Sequence, residues 1–163
     1  MVVRSLFSRS AVIAVVFGCL ASPVISTHAD AGNRYHFRYR EKCLMSKINR
    51  IRKAHGLKAL ERDKQLGYVA RIHAQEMARR AAVWDDGAIG HRVTHWTFLG
   101  NNTGRGAGCR QLNRAFRASS PHRANMLGHF HFVGVGVAWY NGTMYVSENF
   151  ESSKDPGNIY RWP

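Results

Sequence analysis

Ser119-Ser120-Pro121-His122-Arg123-Ala124-Asn125-Met126-Leu127 leads, after a short connection, into Phe132-Val133-Gly134-Val135-Gly136-Val137. The first half has the chemistry of a helix start. Ser119 or Ser120 can cap orphan amides, and Pro121 suits the first helical position because its missing N–H would have had no partner there. His122 then falls in the first turn, near the positive end of the helix dipole, where the neutral imidazole is favoured. That is the form that accepts a proton or a metal ion. In the second half glycines alternate with valines, so a strand here has one face of bare backbone and one apolar face. The chain reads as a scaffold that holds His122 beside that sheet.

Towards the C-terminus the same strand closes into a hairpin. Phe132 to Tyr140 and Thr143 to Phe150 flank Asn141-Gly142, the preferred two-residue turn. This turn pairs Tyr140 with Thr143 and, counting back, Val135 with Glu148. One face then carries Val135, Val137, Trp139, Met144, Val146 and Glu148, and the other Gly134, Gly136, Ala138 and Tyr140 with Tyr145, Ser147 and Asn149. A carboxylate among valines needs a partner, or its ionised form is disfavoured. Glu148 is therefore a site candidate, with a strand-end side chain reaching solvent as the plainer explanation.

Towards the N-terminus the periodicity is helical. Leu44, Ile48 and Ile51 share a face, and His55-Gly56 ends that helix on a left-handed glycine. Asp63 caps a second helix with Leu66, Ala70, His73, Met77 and Ala81 on one stripe. His73 there reads as a satisfied core histidine. Trp84 to Gly108 reads as an irregular centre holding His91, His95 and Trp96. Its glycines allow close backbone approach to a site but match no phosphate-binding loop. A third helix turns Cys109, Leu112 and Phe116 inward.

The order and spacing of these pieces resemble the CAP superfamily, which comprises cysteine-rich secretory proteins, antigen 5 and pathogenesis-related proteins, in its bacterial branch. The matching residues are Asn49-Arg50, Gly56-Leu57, His73-Ala74, Met77-Ala78, His91, a degenerate Gly100-Asn101-Asn102, Phe116 with Ser119, and Pro121 to Leu127. The strand from Val133 to Val137 and Tyr145-Val146 complete the set. The resemblance implies an α+β fold, a three-layer α-β-α sandwich with an antiparallel sheet between helices. It also implies a cleft of two histidines and two acidic residues, with the histidines able to hold a divalent metal such as zinc. Carried over position by position, the cleft is His91, Asn101, Ser119 and His122. Asn101 and Ser119 thus replace the two acidic residues, and a third metal ligand would have to be His95 or Glu148. An amide cannot act as a general base and ligates weakly, and metal catalysis usually needs three protein ligands and an open position.

The first residues resemble a secretory leader. Arg4 and Arg9 precede the apolar run Ala11–Leu20, and Ala29-Asp30-Ala31 offers a small-x-small cleavage site. A membrane-anchored helix is the alternative, and lipidation at Cys19 a minor one. The expected organisation is a signal peptide over 1–31, a basic aromatic arm over 32–42, the CAP domain over 43–150 and a tail over 151–163, with no transmembrane span after cleavage. Cleavage after Ala31 leaves 132 residues with two cysteines, Cys43 and Cys109. An even count in an exported protein points to one disulfide, the other reading being two buried free thiols.

The full chain carries a formal charge of +14. Such a surface adheres to anionic envelope polymers or lipids. No aromatics are interleaved at stacking positions, so specific nucleic-acid recognition is not expected. No CxxC or Cys/His zinc-finger spacing occurs. The leading expectation is therefore a secreted or envelope-associated binding domain, non-catalytic, acting through its His-containing cleft and basic surface. The alternatives are a metal-assisted hydrolase on His91 and His122, with a Ser119–His122 nucleophile as its weaker form, and a purely charge-driven adhesive protein.

Overall fold

A helix whose backbone rests directly on two glycines decides the architecture. In a computed structural model, which describes residues 38–153, the elements run α1 (Tyr39–Ala54), β1 (Glu61–Arg62), α2 (Lys64–Arg80), α3 (Ile89–Arg92), β2 (Phe98–Gly106), α4 (Cys109–Ala118), α5 (Ser120–Leu127), β3 (Phe132–Tyr140) and β4 (Thr143–Ser152). The proposed leader, most of the arm and most of the tail lie outside the described residues. The sheet order is β1-β3-β4-β2. The hairpin register is the expected one, Tyr140 opposite Thr143 and Val135 opposite Glu148.

The two faces of β3 are filled differently. A Cβ at Gly134 would lie 2.2 Å from the backbone nitrogen of Gly67, and one at Gly136 only 2.1 Å from the carbonyl carbon of Ala70. Nothing larger than glycine fits while α2 keeps this position. The helix itself starts as expected, with the Asp63 carboxylate accepting from the Leu66 amide at 2.7 Å. Across the sheet, Val133, Val135, Val137, Val146 and Phe150 form one core with Leu44, Ile48 and Ile51 of α1, Leu112 and Phe116 of α4, and Met126 of α5. These are the three layers of the expected α-β-α sandwich.

A Cys43–Cys109 disulfide ties the first turns of α1 to the start of α4 across 66 positions. A second tie is invisible in the sequence. Arg52, buried near the end of α1, donates through Nε to Lys58 O, through Nη1 to Met126 O and Gly128 O, and through Nη2 to Phe130 O. The planar guanidinium thus satisfies four carbonyls, one in the last turn of α5 and three in irregular chain, that would otherwise be desolvated without donors. Burial lowers its pKa.

The irregular centre is corrected by the structure. Phe98–Gly106 is a nine-residue edge strand, antiparallel to β4 from Phe98↔Ser152 to Gly106↔Met144. Gly and Asn are poor strand formers and their pattern has no apolar alternation, so local signals missed it. The glycines face the helices instead. A Cβ at Gly104 would meet the Phe116 ring at 2.9 Å. The sheet is also not wholly antiparallel, because the two-residue β1 pairs in parallel with β3. β4 runs two residues past Phe150, into the stretch assigned to the tail.

Candidate functional site

His91 and His122, the two histidines of the expected cleft, stand in different surroundings. His91 sits on α3 and is exposed. It lines an open pocket of about 560 Å³ together with Asp86, Gly87, Ile89, Gly90, Trp96, Phe98, Leu99, Gly100 and Asn101. Trp96 is 42% and Phe98 64% exposed, so two aromatic rings line that pocket. Each is fixed: Trp96 Nε1 donates to Gly90 O at 3.1 Å, and Phe98 stacks on Phe130 with centroids 5.6 Å apart.

Asn101 is held from three sides. Its Oδ1 accepts from the Asp86 amide at 3.1 Å, while Nδ2 donates to Asn149 Oδ1 at 2.7 Å and to Ser147 Oγ at 3.1 Å. The side chain therefore links the loop before α3 to β4. It organises the pocket rather than offering a base. Asp86 is held in turn by Arg92, and it lies 3.9 Å from Nδ1 of the buried His73. His73 Nε2 meets Trp84 O at 2.8 Å. His73 is a core histidine, as its stripe implied.

His122 belongs to the other helical layer. Its ring stacks on Phe116 with centroids 4.9 Å apart, and its Nδ1 shares a 2.7 Å hydrogen bond with Ser119 Oγ. Ser119 occupies the N-cap position of α5, yet its side chain caps no amide. The hydroxyl is spent on the imidazole instead. A Ser–His couple thus exists between residues three apart, made through Nδ1 of the ring.

Beneath α5 lies Glu148, and it does not reach solvent: it is fully buried. Its Oε2 accepts from Asn102 Nδ2 at 3.2 Å, and its Oε1 has no hydrogen-bond partner. Asn102 Nδ2 also donates to His122 O, and Asn125 Nδ2 donates to Asn102 Oδ1 and Asn101 O at 2.9 Å each. Desolvation pushes the Glu148 pKa up to about 8, against a smaller lowering by the Asn102 hydrogen bond. On the opposite face, burial and the charge of Asp63 raise Glu151 to about 7. Sequence reasoning flagged Glu148 by its apolar row. It missed Asn102 and Asn125, whose roles depend on a strand it did not see.

Among the described residues no group of three or more His, Cys, Asp or Glu side chains is placed to hold a metal ion. Of the candidate third ligands, Glu148 is buried against Asn102 and His95 is an exposed loop residue with φ 64°. The described residues thus offer no three-ligand set.

Fold and site together define a class: a disulfide-tied α-β-α sandwich with an open pocket beside the edge strand of its sheet. The sequence model of the CAP family, the cysteine-rich secretory protein family, matches residues 45–150. The chain belongs to this family. Comparison with individual curated proteins returns no match. Among solved structures, an outer surface protein from Borrelia burgdorferi aligns at 17% identity and TM-score 0.66, covering 76% of this chain and 99% of that one. An extracellular SCP-domain protein from Bacillus anthracis aligns at 23% identity and TM-score 0.61, covering 70% of this chain and 41% of that one. A cysteine-rich secretory protein from Staphylococcus aureus gives 22% identity and TM-score 0.56, with 74% and 42% covered. These likenesses establish the fold. Among the described residues no helix is long and apolar enough to cross a membrane.

Proposed function

We propose that the chain is an exported CAP domain that binds a ligand non-catalytically in the pocket between α3 and the start of β2. The observation that carries this reading is the bonding of Asn101. Where the family resemblance expects a carboxylate, this amide has both its oxygen and its nitrogen engaged within the protein. It stiffens the pocket and supplies no proton acceptor. The pocket walls support binding: Trp96, Phe98, Leu99 and Ile89 offer apolar surface, and His91 and Asp86 lie among them as polar groups. That mixture suits a ligand with a flat apolar face and a few hydroxyls, a description that sugar rings and sterols share. The leader-like N-terminus, the disulfide and relatives described as extracellular or outer-surface proteins support export.

The test is titration of the oxidised protein with sugar and sterol panels, read by tryptophan fluorescence and calorimetry, beside Trp96→Ala and His91→Ala. Saturable binding that both variants weaken about tenfold or more is the expected result. Turnover of an ester, glycoside or peptide that chelator and His122→Ala both abolish would replace this reading with the metal-assisted hydrolase.

A further inference from the structure

The described acidic side chains are distributed unevenly. Glu61 and Asp85 are exposed and Glu76 half-buried, and all three lie on β1, α2 or the loop after α2. The layer formed by α1, α4 and α5 holds one acidic residue, Glu41. It is fully buried beneath Arg71, which donates to it through Nε at 2.8 Å and Nη2 at 2.6 Å. The outward surface of that layer is cationic only. Arg110, Arg114 and Arg117 are all exposed at helical spacing on α4, while Leu112 and Phe116 face the core. Arg123 of α5 continues the row, because its Nη1 donates to Arg117 O at 2.8 Å and so brings its guanidinium to the end of α4. None of these four arginines takes part in a salt bridge among the described residues. Lys42, Arg50 and Lys53 of α1 are exposed as well, and the disulfide holds α1 against α4.

We propose that the arginine row of α4 and α5 is a binding surface for a linear polyol phosphate polymer, a ligand surface separate from the pocket. Guanidinium groups pair with phosphate oxygens through two parallel hydrogen bonds, which ammonium groups cannot do. Neighbouring cations on a helix face stand about 5–6 Å apart at the Cβ atoms. A polymer with one phosphate per short polyol unit spaces its charges on the same scale. The row is open and unwalled, so a chain can lie along it where a single phosphate would find no enclosure. Among the described residues no large apolar side chain is exposed on α4 or α5. On α4 and α5 an anionic bilayer would therefore find no group to insert and a nucleic acid no ring on which to stack its bases, the exposed ring of this layer being Tyr39 at the start of α1.

The experiment uses the full oxidised chain, with poly(glycerol phosphate) as the probe and a single-stranded RNA and phosphatidylglycerol vesicles as competitors. The variants are R110A/R114A/R117A/R123A, its all-lysine counterpart, and Trp96→Ala. Circular dichroism and thermal melts show whether each variant folds, and the exposed arginines should leave both unchanged. The expected result is salt-sensitive binding, weakened about tenfold or more by the alanine set and only partly restored by the lysine set. Trp96→Ala should bind the polymer normally, and the alanine set should bind the pocket ligand normally, so the two readings fail separately. Undiminished polymer binding by the alanine set, full rescue by lysine, no binding at all, or a preference for RNA or vesicles would each overturn the proposal.

Discussion

The two faces of the central sheet solve the same packing problem in opposite ways. On the α2 face the strands present Gly134 and Gly136, and the helix backbone comes into contact with them. Polar side chains on this face, Asn101, Ser147 and Asn149, bond mainly to one another. On the other face valines hold α1, α4 and α5 a side chain away from the sheet. The polar groups buried there include Asn102 and Glu148, the latter with one oxygen unpartnered. The contrast lies in how the helices approach and not in how completely polar groups are satisfied. Each face buries a carboxyl, and Glu151 on the α2 face has neither oxygen hydrogen-bonded. The exposed His91 pocket borders the first face, and the packed His122 belongs to the second.

Four substitutions probe this contrast. The largest effect is expected at Gly136→Val, where the added atoms would overlap the backbone of Ala70. The loss should exceed about 4 kcal/mol, enough to prevent accumulation of folded protein. Val135→Ala, one residue away on the other face, should cost about 1–3 kcal/mol and leave a cooperative unfolding transition. Chemical denaturation of the pair decides the matter, and similar midpoints would dissolve the contrast.

An intermediate effect is expected for Glu148. The folded chain keeps this carboxyl protonated up to about pH 8, whereas its ordinary value is 4.5. Between those two values the folded state holds a proton that the unfolded state has released. The contribution to stability is therefore complete below about pH 4.5 and is lost as pH rises through 8. E148Q keeps the shape and removes the titration. Its Tm should exceed that of the parent by several degrees at pH 8 and match it near pH 4.5. The slope that persists belongs to Glu151, raised to about 7 on the opposite face. A parent Tm that does not fall over this range would mean that Glu148 is ionised in the folded chain.

The smallest effect is expected for Ser119→Ala. The Ser119 hydroxyl bonds His122 and not the helix amides, so the variant should lose only about 0.5–1.5 kcal/mol. The ring resonances of His122 should move while helix content holds. A helix-wide change in amide shifts instead would show that Ser119 acts as a cap.

Much of this architecture is written in local chemistry. Asp63 opens α2, Gly56 at φ 71° closes the turn after α1, and Asn141-Gly142 sets a hairpin whose register follows by counting. Each signal acts over a few residues, so it survives translation from sequence to structure without knowledge of the rest of the fold. The alternation of valine and glycine likewise announced two unlike faces, and the spacing of His91, Ser119 and His122 pointed to the family. The glycine- and asparagine-rich β2 was not legible, because its hydrogen bonds come from β4 and its missing side chains make room for α4 and α5. Arg52 looked like one more surface cation, since nothing near it in sequence reveals the carbonyls of Met126, Gly128 and Phe130. The sequence by itself determined four of the five helices, α3 falling in the stretch read as irregular, together with the hairpin and the residue types near the pocket. Only tertiary structure decided that Asn101 is a locked amide, that Glu148 is buried without a full set of partners and that the arginines of α4 and α5 form one row. Those properties depend on which groups lose water together, and that is settled by contacts between segments far apart in the chain.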